Sequence, residues 1–143
     1  MRPEIDILLV EDNRGDVRLM THMLAQSGIE HRLSIAHDGV EALSFLQRSG
    51  AHRDAPRPQL ILLDLNLPRV DGREVLAAIK ADAELRRIPV IVLTSSRAPQ
   101  DIRSCYDSHA NGYVCKPLNL EGMRTTIEHI VGFWLKLVVL PAT

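Results

Sequence analysis

The chain has 143 residues and a mass of 16.0 kDa, the size of one ordinary globular domain. Hydrophobic residues at 45% and charged residues at 24% exclude disordered and collagen-like chains. With 17 basic against 18 acidic residues the net charge is −1, which argues against a nucleic-acid-binding or membrane-surface protein.

Ile5–Val10 is a nearly continuous apolar run and predicts a first strand buried on both faces. Val17, Met20 and Leu24 then recur at helical spacing, and Arg32–Ala36 reads as a more polar second strand. Val40, Leu43 and Leu46 share the face of a second helix, opened by the D-x-x-E pattern of Asp38 and Glu41. Gly50–Pro58, with two prolines and mixed charge, is expected to be a surface loop. Leu60–Leu63 predicts the third strand, followed by Val75, Leu76 and Ile79 on a helix capped by Asp71. Val90–Leu93 predicts the fourth strand. Behind Pro99, Ile102, Cys105, Tyr106 and His109 form a weaker helical face. Gly112–Val114 is the last strand, and Met123, Ile127, Ile130, Val131 and Trp134 mark a strong fifth helix with Asn119 as its cap. Strand followed by helix five times predicts one α/β domain, a five-stranded parallel sheet with helices on both faces.

No apolar run approaches the roughly 20 residues that span a bilayer. Met1-Arg2-Pro3-Glu4 carries no secretory cleavage pattern, and Cys105 and Cys115 lack CxxC spacing. A cytoplasmic protein with reduced packing cysteines is expected.

In an open parallel sheet, ligands bind beyond the carboxyl ends of the strands, where strand order reverses. Glu11 and Asp12 follow the first strand, Asp64 the third, Thr94 the fourth and Lys116 the fifth. Two carboxylates about 4 Å apart repel by roughly 1 kcal/mol in water and about 4 kcal/mol at an effective dielectric of 20. Three together call for a cation. Oxygen donors without His or Cys favour a hard ion such as Mg2+. Beside that ion an aspartate can attack phosphorus, while Lys116 and the Thr94 hydroxyl hold phosphoryl oxygens. Asp12 or Asn13 has a simpler reading as a cap in Asn13-Arg14-Gly15-Asp16, and Asp71 is read as a cap only.

The motifs LLVEDN around Glu11-Asp12, LLDLNLPRVDG from Leu62 to Gly72, VLTSS, and YVCKP from Tyr113 to Pro117 lie in this order at strand ends. With them the chain resembles the receiver domains of two-component response regulators, from Ile5 to about Val131. The resemblance implies a flavodoxin-like (βα)5 fold in which Asp64 is the phosphoacceptor. It also implies Mg2+ placed by Glu11, Asp12, Asp64 and the backbone carbonyl of Asn66. Thr94 would be the switch hydroxyl, Tyr113 the aromatic that changes rotamer, and Lys116 the phosphate-binding base. The Lys116–Pro117 bond is expected to be cis. A sensor histidine kinase is the implied phosphodonor, and the tail and the segments around Tyr106 and Asn111 resemble receivers paired with phytochrome-type kinases.

Two enzyme classes fit less well. None of the eight glycines forms G-x-G-x-x-G or G-x-x-x-x-G-K, so no dinucleotide or triphosphate loop is present. An aspartyl phosphohydrolase usually needs a second aspartate two residues after the nucleophile, where this chain has Asn66. A signalling switch that phosphorylates itself and slowly loses the phosphate is expected. The alternative is a phosphorylation-independent pseudo-receiver serving as a scaffold.

Residues 1–132 are therefore expected to form the receiver domain and 133–143 an apolar extension, since residues 118–143 leave no room for an output domain. Phe133–Leu140 reads FWLKLVVL, apolar all round where an amphipathic helix has no need to be. Folding back over the domain's own core is one reading. A homodimer contact through Phe133, Trp134 and Leu137 is the other.

Overall fold

A computed structural model describes residues 4–142. The start of the expected 1–132 span, with most of Met1-Arg2-Pro3-Glu4, and the last residue of the 133–143 extension lie outside the described residues. Five strands alternate with five helices: β1 (Ile5–Val10), α1 (Arg14–Gln26), β2 (His31–Ala36), α2 (Gly39–Gln47), β3 (Leu60–Leu63), α3 (Gly72–Ala81), β4 (Val90–Thr94), α4 (Pro99–Asp107), β5 (Gly112–Cys115) and α5 (Leu120–Ile130). Every strand pair is parallel and the order is β2-β1-β3-β4-β5. This is the flavodoxin-like arrangement. The order reverses between β1 and β3, so a crevice opens beyond their carboxyl ends.

Alternation along the strands separates two core layers. Leu8, Val10, Ile61, Leu63, Val90 and Val92 pack with Phe45, Leu46, Leu76 and Ile79 on the α2–α3–α4 side. Ile7, Leu9, Leu60, Leu62, Ile91 and Leu93 pack with Met20, Leu24, Met123 and Ile127 on the α1–α5 side. Both faces of the sheet are covered, which is why β3 and β4 carry no polar residue before their ends and β1 carries only Asp6, at its half-buried start. Side chains cap the helices as the sequence suggests. Asn13 accepts from the Asp16 N–H, Asp38 from Glu41, Asp71 from Arg73 and Asn119 from Gly122.

Two helical faces differ from the periodicity reading. α2 buries Ala42, Phe45 and Leu46 while Val40 is exposed. Gly39 sets this rotation, because its Cα lies against the Val70 backbone where no side chain fits. α4 buries Cys105 alone, Tyr106 is exposed, and His109 falls beyond the helix at φ 69°. Its short amphipathic pattern over-read the apolar character of an aromatic and a histidine.

After α5 the helix widens into a π-helical segment, Val131–Leu137. Val131 and Leu135 are buried, and Trp134 and Leu140 pack against the α1–α5 core layer. Phe133 is 50% exposed, Leu137 70% and Val139 93%. The tail thus divides, one face folded onto the domain and the other open. No helix among the described residues is long and apolar enough to cross a membrane.

Candidate phosphoacceptor site

The carboxyl ends of β1, β3, β4 and β5 converge because their registers place Val10 beside Leu63, Leu63 beside Val92, and Thr94 beside Cys115. The next residues out are Glu11, Asp64 and Lys116. Carboxylate oxygens of Glu11, Asp12 and Asp64 lie within 4.8 Å of one another. Glu11 and Asp64 are buried at 1% and 7% exposure, and Asp12 is exposed at the rim. Asn13, not Asp12, caps α1, which leaves the Asp12 carboxylate to this set.

Lys116, 8% exposed, extends its ammonium into the carboxylates. Its Nζ donates to Glu11 Oε1 at 2.6 Å, Asp16 Oδ2 at 2.7 Å and Asp64 Oδ2 at 3.1 Å. The Asn66 N–H donates to the other Asp64 oxygen, Oδ1, at 3.3 Å. Asn66 itself is exposed, two residues on from Asp64. Thr94 is fully buried at the end of β4, and its Oγ1 accepts from the Ser96 N–H at 3.4 Å.

These contacts split the acidities. Burial pushes the Glu11 carboxyl up to about 7, against the pull of Lys116. Asp64 moves the other way: burial opposes ionisation but is outweighed by hydrogen bonds from Glu11, Lys116 and Thr94, so its pKa is lowered. Burial would likewise weaken the Lys116 ammonium, yet Asp16, Glu11 and Asp64 together hold its pKa above the usual value. Asp64 is the carboxyl held ionised, and Glu11 is the carboxyl whose charge is least compensated. An all-oxygen cluster with one under-compensated buried carboxyl fits a hard divalent ion such as Mg2+ or Mn2+.

The Lys116–Pro117 bond, expected cis, is trans; no cis peptide occurs among the described residues. Trans is the intrinsic preference by about 0.5–1 kcal/mol. The lysine needs no cis bond to point inward, because its own N–H donates to the Thr94 carbonyl at 2.7 Å and three carboxylates draw the ammonium in.

Tyr113 packs against the α2–α3–α4 core layer, and its hydroxyl donates to the Ser96 carbonyl at 2.9 Å. It therefore touches the loop that leaves Thr94. The same loop is tied to α3, because Ser96 Oγ donates to Asp101 Oδ2 at 2.5 Å and Arg73 Nε donates to Asp101 Oδ1 at 3.0 Å. Sequence reasoning missed Asp101 and Arg73, whose partners lie across a gap between helices. It also missed Asp16. A signal for Asp16 existed: it sits in the first turn of α1, one turn from the strand ends, yet the capping reading used only its backbone. Phe133, Trp134 and Leu137 lie away from this cluster, on the tail.

A model of the response regulator receiver domain matches residues 7–128. Response regulator Rcp1 of Synechocystis sp. is 50% identical over 136 residues, covering 95% of this chain and 92% of its own length. The probable methanogenesis regulatory protein FilR2 of Methanothrix harundinacea is 44% identical over 130 residues, covering 90% of this chain and 83% of its own. The Mn2+-bound form of Rcp1 superposes with a TM-score of 0.95 at 49% identity, over 98% of this chain and all of that one. The phosphorylated cyanobacterial phytochrome response regulator RcpA gives the same TM-score and coverage at 46% identity.

Proposed function

The chain belongs to the response regulator receiver family, and from that premise we propose that it is a signalling switch phosphorylated on Asp64 by a sensor histidine kinase. The observation that carries this reading is Asp64 itself: buried, ionised, and held between an acidic pair and the Lys116 ammonium. An aspartate in that setting is costly as structure and useful as a nucleophile.

Glu11, Asp12, Asp64 and the Asn66 carbonyl are the residues that would hold Mg2+. When bound, the ion screens the carboxylates and the phosphoryl oxygens. An Asp64 carboxylate oxygen forms the new O–P bond as the P–N bond to the donor histidine breaks, and the imidazole leaves. Lys116 and the Thr94 hydroxyl then bind phosphoryl oxygens. Drawing Thr94 toward the phosphate shifts the loop through Ser96, and the Tyr113 hydroxyl loses its partner there. Tyr113 is thereby free to change rotamer, which alters the α4–β5–α5 face.

The relatives named for phytochrome signalling support a phytochrome-type kinase as donor. The receiver proper is assigned to 1–132, and the tail from 133 to a homodimer contact. Phe133 and Leu137 are the contact residues, while Trp134 packs on the core side and braces Phe133, their ring centroids 5.3 Å apart. Replacing Phe133 and Leu137 by Ser should convert dimer to monomer in sedimentation while each chain still unfolds cooperatively. A variant that stays dimeric would remove the tail from the interface.

The decisive experiment is intact mass after incubation with Mg2+ and acetyl phosphate, for the parent and Asp64→Asn. One base-labile phosphate on the parent and none on the variant is expected. A parent with neither adduct nor Mg2+ binding would be a scaffold that kept the fold and lost the switch.

A further inference from the structure

Asp16 is the one partner of Lys116 that the carboxylate set does not include. A lysine ammonium has three N–H donors, and here all three are committed, to Glu11, Asp16 and Asp64. The bond to the nucleophile is the longest, at 3.1 Å against 2.6 and 2.7 Å. Glu11 and Asp64 belong to the set whose oxygens lie within 4.8 Å of one another, and Asp16 does not. With a divalent ion bound, Glu11 and Asp64 are committed to it, and the ammonium is repelled by like charge. Asp16 alone is then uncommitted.

Its placement is built in. The Asn13 side chain accepts from the Asp16 N–H at 3.0 Å, which starts α1 so that Asp16 falls in its first turn beside the end of β5. Its side chain is 23% exposed, so the pair with Lys116 is well shielded from solvent.

We propose that Asp16 is a positioning residue that holds the Lys116 ammonium beside the site, off Glu11 and Asp64, whenever a divalent cation occupies the carboxylate set. The inference rests on the metal-dependent reading above and deepens it. Without Asp16 the ammonium has only Glu11 and Asp64 to bind, and so competes with the cation for both. Asp16 also ties the end of β5 to α1, so that the lysine's position depends on the first turn of that helix.

The test is melting temperature against magnesium chloride concentration for the parent, Asp16→Asn, Lys116→Met and the double variant. Stabilisation grows as RT ln(1 + [Mg2+]/Kd), so the Mg2+ concentration equal to Kd is read from the course of each curve, not from a plateau. With Lys116 present, Asp16→Asn should raise that concentration about fivefold; with Lys116→Met, the same change should alter it less than about twofold. An equal rise in both backgrounds would show that Asp16 acts as a bare charge and would overturn the proposal. So would no rise with Lys116 present. A parent that gains no stability from Mg2+ would overturn the metal-dependent reading and this inference with it, an outcome distinguished by the parent curve alone.

Discussion

Gly72→Ala is expected to lower the melting temperature by about 10 °C and to impair Mg2+ binding at the same time. Gly72 opens α3, and its N–H donates to the Leu65 carbonyl at 2.9 Å. A Cβ built there overlaps the Asp64 carbonyl oxygen and stands 2.6 Å from Leu65 Cα and 2.9 Å from Leu65 O. All three obstacles are backbone, so no side chain can swing aside. Either α3 moves off the sheet or the Asp64–Leu65 segment moves, and the second displaces the proposed phosphoacceptor. A change of this kind costs about 3 kcal/mol or more. Gly132→Ala is the control, because a Cβ at that position meets nothing within 4 Å. It should be neutral or slightly stabilising. A Gly72→Ala protein melting within 2 °C (about 0.5–1 kcal/mol) of the parent would contradict the close approach of α3 to Asp64.

Lys116→Met should destabilise the metal-free protein by about 3–5 kcal/mol, because it strips from three carboxylates the cation that pairs them among the described residues. The hydrophobic replacement keeps much of the stem's volume, so loss of charge dominates. The sign with pH follows from Glu11. Its folded pKa, about 7 with the lysine present, is already above the ordinary 4.5, so the folded state holds a proton that the unfolded state releases. Between about pH 4.5 and 7 Glu11 is protonated in folded parent and variant alike, so it adds nothing to the gap between them there. Removing the lysine raises the folded pKa of Glu11 further, so its contribution to the gap sets in as pH rises through 7, where only the parent's Glu11 ionises. Melting in EDTA at pH 5.5 and pH 8 checks this, with the larger gap between variant and parent expected at pH 8. Saturating Mg2+ should close much of the gap by replacing the missing positive charge. Equal melting of variant and parent in EDTA at both pH values would mean the three carboxylates need no cation.

Both predictions concern residues visible in the sequence, although their energetic weight is not. Runs such as Leu60–Leu63 and Val90–Leu93 announced a parallel sheet, since only strands covered on both faces read as continuous apolar stretches. The caps were legible too, because Asp38, Asp71 and Asn119 act on backbone groups a few residues away. Glu11, Asp64, Thr94 and Lys116 were placed by strand ends alone, because parallel strands in one sheet deliver their next residues to the same edge. Local periodicity and chain order were sufficient for all of this.

Contacts between elements required the tertiary structure. Asp16 and Lys116 are a hundred residues apart and meet only because α1 begins beside the end of β5. Arg73, Asp101 and Ser96 join α3 to the loop after β4, and no pattern in any one segment marks them. The rotation of α2 that exposes Val40 follows from the backbone of Val70, and the inward aim of Lys116 from strand register and carboxylate attraction. The tail's apolar run gave no sign of which side is buried, since a segment apolar all round carries no amphipathic direction. Packing of Val131 and Leu135 against the α1–α5 layer decided it, leaving Phe133 and Leu137 outside. Local hydrogen bonding and hydrophobic period act within a few residues, so the sequence by itself determined the elements and the edge where the chemistry lies. Pairing of charges and the choice of buried face depend on which surfaces meet, and only the folded chain decides that.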